Sequence, residues 1–144
     1  MAIRSNILTN LETRIKTEIP SFPLVTRILR PPFLPFTPST SLPAVFIIDP
    51  EEEVYDYQAS RHALTSLSTQ VHLYRFQWNE DKDGAVDSNS SIDKLKDAIH
   101  KDITNGSLSV NTSITSIKPI LRDYPLFGWS FDLVISYYAD YTTS

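Results

Sequence analysis

The sequence predicts an α+β domain in which a mainly antiparallel sheet of about five strands carries two helices packed on one face. Three observations predict it. Residues 3–19 and 91–103 repeat apolar side chains at spacings of three and four, the mark of a helix with one apolar stripe. Other segments alternate apolar and polar residues, or run continuously apolar for five, as strands do. The chain has 144 residues, enough for one ordinary domain over 1–144 and too few for two. At this size folding buries about 68–70% of the unfolded surface, so no disulfide or metal is required to hold the core.

The first helix is read over Ile3 to Ile19, with Ile3, Ile7, Leu8, Leu11, Ile15 and Ile19 on its stripe and Asn6, Asn10, Thr13 and Lys16 on the wet side. Pro20 and Pro23 end it, since proline lacks the amide proton that a continuing helix needs. Leu24 to Arg30 is a short strand bounded by prolines. Residues 31–43 hold five of the ten prolines, with Phe33, Leu34 and Phe36 between them. Proline cannot donate into a ladder, so this stretch is read as an extended arm.

Ala44 to Ile48 is a continuous apolar run that suits a strand covered on both faces, and Glu51, Glu52 and Glu53 after it read as a solvated turn. From about Leu64 to Trp78 a longer strand sets His72, Tyr74, Phe76 and Trp78 on one face and Val71 and Leu73 on the other. Residues 79–89 are polar and acidic and contain Gly84, which reads as a mobile loop. Ser90 with Asp93 resembles a capping box for a second helix, whose stripe is Ile92, Leu95, Ile99 and Ile103 and whose stop is Asn105–Gly106. Ser113 to Arg122 is a strand interrupted by Pro119, which argues for an edge or a bulge. Tyr124 to Gly128 reads as a turn, and Trp129, Phe131, Leu133, Ile135 and Tyr137, alternating with Ser130, Asp132, Val134, Ser136 and Tyr138, make the clearest strand in the chain.

Composition excludes several functions. Net charge is −4 and the basic residues are scattered, whereas duplex binding draws its affinity from neutralised phosphates. There are no cysteines, so thiol catalysis and thiolate zinc are ruled out. His62, His72 and His100 have no ligand partner at metal-site spacing. The three glycines, Gly84, Gly106 and Gly128, form no phosphate-cradling loop, and no Gly-x-Ser-x-Gly elbow is present. The expectation is therefore no catalytic residue, no metal, no cofactor and a non-enzymatic role. Met1 to Ile19 lacks the apolar core of a secretory signal, and no run approaches the roughly 18 apolar residues of a membrane span. The chain is expected to be made in the cytoplasm.

The arm at 31–43 has two readings. Either it folds over its own core, or it lays Phe33, Leu34 and Phe36 on a neighbouring subunit, with little ordering entropy to lose because proline has already restricted it. Its length favours the second. The rings of His72, Tyr74, Phe76, Trp78, Tyr137, Tyr138 and Tyr141 exceed what two helices cover, which points to an interface as well.

With these elements placed, the chain resembles the tail terminator proteins of long-tailed bacteriophages, also called tail completion or head-tail joining proteins. The residues that carry the resemblance are the opening helix Ile3–Ile19, the strand entered through Leu42–Ile48, the helix Ser91–Ile103 and the closing Gly128–Tyr137. The resemblance covers most of the chain in order, size and pattern; the arm at 31–43 has no counterpart in it. It implies a virion protein at the tail–neck junction, a homo-oligomer closing as a six-membered ring. Its partners would be the tail tube protein and the head connector or stopper protein. DNA would pass through the lumen without specific binding, and no membrane is involved. Under this reading Phe33, Leu34 and Phe36 belong to the subunit interface, and Glu51, Glu52 and Glu53 to an acidic lumen or tube-facing edge that DNA slides past. A second reading is a small intracellular protein-binding or adaptor domain, or a related neck or injection-system component. A third is a small hydrolase with dispersed carboxylates, which needs a deep pocket where acids converge.

Overall fold

A computed structural model describes residues 3–29, 43–50, 52–57, 62–76, 81–123 and 125–140. In chain order the elements are α1 (Ile3–Glu18), β1 (Leu24–Ile28), β2 (Ala44–Ile48), β3 (Glu52–Tyr57), β4 (His62–Phe76), α2 (Lys82–His100), β5 (Asn111–Asp123) and β6 (Leu126–Asp140). The α+β class follows directly. One sheet runs β1-β2-β4-β6-β5, and β3 joins it by pairing with β4. Every pairing is antiparallel except β1 with β2.

The 15-residue β4 organises the sheet. Its N-terminal half pairs with β3, from Glu52 opposite Ser68 to Tyr57 opposite Ala63, and its C-terminal half pairs with β2, from Ala44 opposite Tyr74 to Ile47 opposite Val71. Along its other side β6 runs the full length, from His62 opposite Asp140 to Phe76 opposite Leu126.

Both helices pack on one face. Leu8, Leu11, Ile15 and Ile19 of α1 and its exit, with Leu95, Ala98 and Ile99 of α2, bury against Val25, Val45, Ile47, Val71, Leu73, Phe131 and Leu133. These strand positions are odd-numbered, as the two-residue period demands for one face. Ile7 extends the same layer onto Leu67, Ile135 and Tyr137. Fully burying each Leu or Ile contributes about 1.5–3 kcal/mol, so this layer is the main source of stability. The last α1 amide bond is Ile19 N–H to Ile15 O at 2.9 Å, and Pro20 has no proton to extend it.

On the second face Ala44, Phe46, Ile48, Tyr74 and Leu126 form a smaller apolar cluster, with Leu24, Ile28 and Phe76 packed against it. All of β2 is buried, as its unbroken apolar run predicts. Tyr74 and Tyr137 are also buried, each in a cluster of this single chain. They are therefore not free for a partner, whereas Tyr138 is exposed, at 55%.

Four readings of the sequence need correction. Residues 82–89, read as part of a loop, are the first two turns of α2. Its cap is Asp81, whose carboxylate accepts the amides of Asp83 at 2.9 Å and Gly84 at 3.4 Å, not Ser90. These turns carry no apolar stripe, which hides them from periodicity. They are tied to β4 instead by Arg75, which donates to the Asp87 carbonyl at 3.0 Å and to the Ser91 hydroxyl. Second, Glu52 and Glu53 open the strand β3 and do not sit in a turn. Third, Leu126 to Gly128 already belong to β6, since Asp123 pairs with Leu126. Fourth, α2 ends at His100, and the reversal at Asn105, Gly106 and Ser107 (φ 50°, 71° and 67°) follows as a separate left-handed turn. Pro119 behaves as expected: register shifts occur between Ile114 and Ser116 and between Pro119 and Leu121.

Candidate functional site

The face of the sheet away from the helices divides into the apolar cluster and a polar band. Register places Gln70 opposite Asp132 and His72 opposite Ser130 between β4 and β6, then Asp132 opposite Ser116 and Ser130 opposite Lys118 between β6 and β5. Alternation along three strands thus gathers six polar side chains on one surface.

His72 is 5% exposed. Its Nδ1 lies 3.1 Å from the Tyr74 hydroxyl and its Nε2 3.0 Å from Gln70 Oε1. Burial pushes the imidazole below its usual range, with Asp132 pulling the other way. Burial raises the Tyr74 phenol as well. Asp132 accepts from the Ser116 hydroxyl at 2.7 Å and the Ser130 hydroxyl at 3.4 Å, with the Lys118 ammonium at 3.4 Å. Its partial burial works to raise the carboxyl, and these hydrogen bonds with the Lys118 charge outweigh it.

Serine, histidine and aspartate are neighbours here without forming a relay. In a Ser-His-Asp arrangement the imidazole bonds both the nucleophile and the carboxylate. Both nitrogens of His72 are engaged by Tyr74 and Gln70, while Asp132 is held by β5. The depression beside this band, lined by Ser68, Gln70, Thr115 and Asp132 among others, has a volume of ≈ 240 Å³; a second, between Glu12, Arg27, Leu29 and Asp49, has ≈ 310 Å³. The first lies below, and the second at the bottom of, the range that encloses a small ligand, roughly 300–1,000 Å³. Among the described residues no group of three or more His, Asp or Glu could hold a metal ion, and no helix is long and apolar enough to cross a membrane.

The sheet edges differ sharply. At β1 the outward amide of Arg27 donates to Glu12 Oε2 at 3.1 Å, and the Arg27 guanidinium reaches Thr9 Oγ1 at 3.0 Å and Ser5 Oγ at 3.2 Å. Helix α1 thereby closes that edge. Among the described residues β5 pairs with β6 alone and β3 with β4 alone, so each leaves an outer edge without a strand partner.

Of the residues the sequence singled out, Phe33, Leu34, Phe36 and Glu51 lie outside the described residues, as does the arm from 31 to 42. Glu52 and Glu53 are placed by their backbone in β3, opposite Ser68 and Leu67. The polar band was legible only in part: alternation puts His72 and Asp132 on definite faces, but only register shows that they share one with Ser116 and Lys118.

Fold and surface together define a class: an α+β domain with its helices on a single face of one sheet and, among the described residues, two outer strands without a further strand partner. No protein-family model matches the chain, and no curated protein sequence matches it.

Proposed function

We propose that the chain is a structural subunit of a phage tail, a tail terminator that closes as a ring on the tail tube and joins it to the head connector. The observation that carries this reading is the outer edge of β5, a 13-residue strand bonded on one side only among the described residues. An open edge with free amides and carbonyls is a template for another strand. A protein whose described residues leave two such edges while both helices cover the same face is suited to side-by-side assembly. The resemblance in element order and size supports the terminator assignment in particular. The net charge of −4 fits a ring through which DNA slides without being held.

The same open edge suits a second reading, an adaptor domain that takes up an extended peptide by strand addition. Electron microscopy of virions carrying an antibody label on this chain separates the two. Label at the junction of head and tail is expected; particles that never carry label there contradict the proposal.

A further inference from the structure

We propose that the apolar cluster on the second face of the sheet is the docking surface of the chain's own connection between β1 and β2, residues 30–42, which covers it with Phe33, Leu34 and Phe36. The cluster has a cover that no described element provides. Ala44, Phe46, Ile48, Tyr74 and Leu126 are only 0–6% exposed. Yet α1 and α2 pack against the odd-numbered residues of these strands, on the opposite face. Of the stretches outside the described residues, 30–42 holds thirteen residues and no other holds more than four.

Length and end points agree. β1 and β2 are parallel neighbours, so the chain must return from the end of β1 at Ile28 to the start of β2 at Ala44. A five-residue strand is about 16 Å long. Thirteen residues in the extended form that Pro31, Pro32, Pro35 and Pro38 favour reach roughly 40 Å. That is enough to rise over one layer of side chains and come down again.

Handedness selects the same face independently. A connection between parallel strands of one sheet is right-handed in about 98% of cases. β4 and β5 are parallel, both being antiparallel to β6, and α2 joins them across the first face. β1 and β2 run opposite to β4, since β2 pairs with it antiparallel. Both connections step the same way along the order β1-β2-β4-β6-β5. Two connections of one hand that step the same way between oppositely directed strands lie on opposite faces. With α2 on the helix face, residues 30–42 take the other, where the cluster is. The helix face beside β1 is filled in any case: α1 packs on Val25, Val45 and Ile47, and Glu12 takes the Arg27 amide.

A cover drawn from the same chain needs no neighbour. It removes Phe33, Leu34 and Phe36 from the subunit interface, leaves contacts in the proposed ring to other surfaces, and stands apart from that ring.

Photo-crosslinking of the full chain tests this. One variant carries p-benzoylphenylalanine in place of Phe36 and another in place of Phe33, so each keeps an aromatic ring at the site. Unlabelled and heavy-nitrogen chains are mixed in urea and refolded together before irradiation, which marks any link between two copies as light–heavy. A urea midpoint like the parent's establishes that each variant folds. Adducts to Leu24, Phe46, Ile48, Tyr74 or Leu126 that are never light–heavy are expected. Light–heavy adducts hand the segment to a neighbouring copy and overturn the proposal. Adducts on α1 or α2, or none from either probe, leave the cluster without this cover and overturn it too. The expected adducts from a chain that stays monomeric at every concentration uphold the cover and overturn the ring alone.

Discussion

Arg14 on α1 donates Nη2 to Asn105 Oδ1 at 3.0 Å, joining the first helix to the left-handed turn 91 residues later. The same guanidinium donates to the carbonyls of Ala98 at 3.0 Å and Ile99 at 3.1 Å, and to Asn10 Oδ1 at 2.7 Å. It satisfies carbonyls that the end of α2 leaves without helical partners. Asn105, fully buried, passes the network on through Nδ2 to Ser109 Oγ at 2.9 Å and Thr112 Oγ1 at 2.7 Å. One cation thus locks α1, α2 and the start of β5 together.

Replacing Arg14 by Met keeps the packing of the stem and removes every donor. Hydrogen bonds to charged groups contribute about 1.5–3 kcal/mol, and orphaned buried acceptors add to the loss. Arg14→Met should lower stability by about 3 kcal/mol in urea unfolding. A loss under about 0.5 kcal/mol would show that water replaces the guanidinium freely.

Gly106 sits at φ 71°, and an added Cβ would lie 2.8 Å from Asn10 Nδ2. Gly106→Ala should lose roughly 1–2 kcal/mol from the left-handed backbone alone. It should also displace Asn10, which accepts from Arg14. The double variant with Arg14→Met should accordingly lose less than the sum of the single losses. Strict additivity in the cycle would uncouple the turn from the arginine.

Asp81 caps the part of α2 that the sequence concealed. Asp81→Ala should lower stability by about 1 kcal/mol, and Asp81→Asn by much less, since asparagine caps equally well. Amide exchange over residues 83–90 should accelerate in the alanine variant. Unchanged exchange there would place the start of the helix later.

His72 gives a pH dependence of definite sign. Its folded-state pKa lies below the ordinary 6.5 because burial disfavours the imidazolium. The unfolded chain then binds more protons than the folded one as pH falls through about 6.5, so stability declines on acidification until the folded-state pKa is passed. The wild type should lose more stability between pH 7.5 and 5.5 than His72→Gln does. Equal losses would mean that His72 charges freely in the fold.

Much of the architecture was legible because it follows from periods. The stripe Ile7, Leu8, Leu11, Ile15 marked α1, and the alternation from Trp129 to Tyr138 marked β6. What stayed hidden had no apolar period to show it. The first turns of α2 are held by the Asp81 cap and by Arg75, and β3 is acidic although its backbone pairs along half of β4. The polar band and the open edges depend on register, which is set between strands far apart in the chain.

The central proposal is that this chain assembles into a closed ring. Native mass spectrometry of the purified chain over a range of concentrations tests it most directly. A single closed oligomer, six subunits by the resemblance to terminators, is the predicted result. A chain that remains a monomer, or stops at a symmetric dimer, contradicts it.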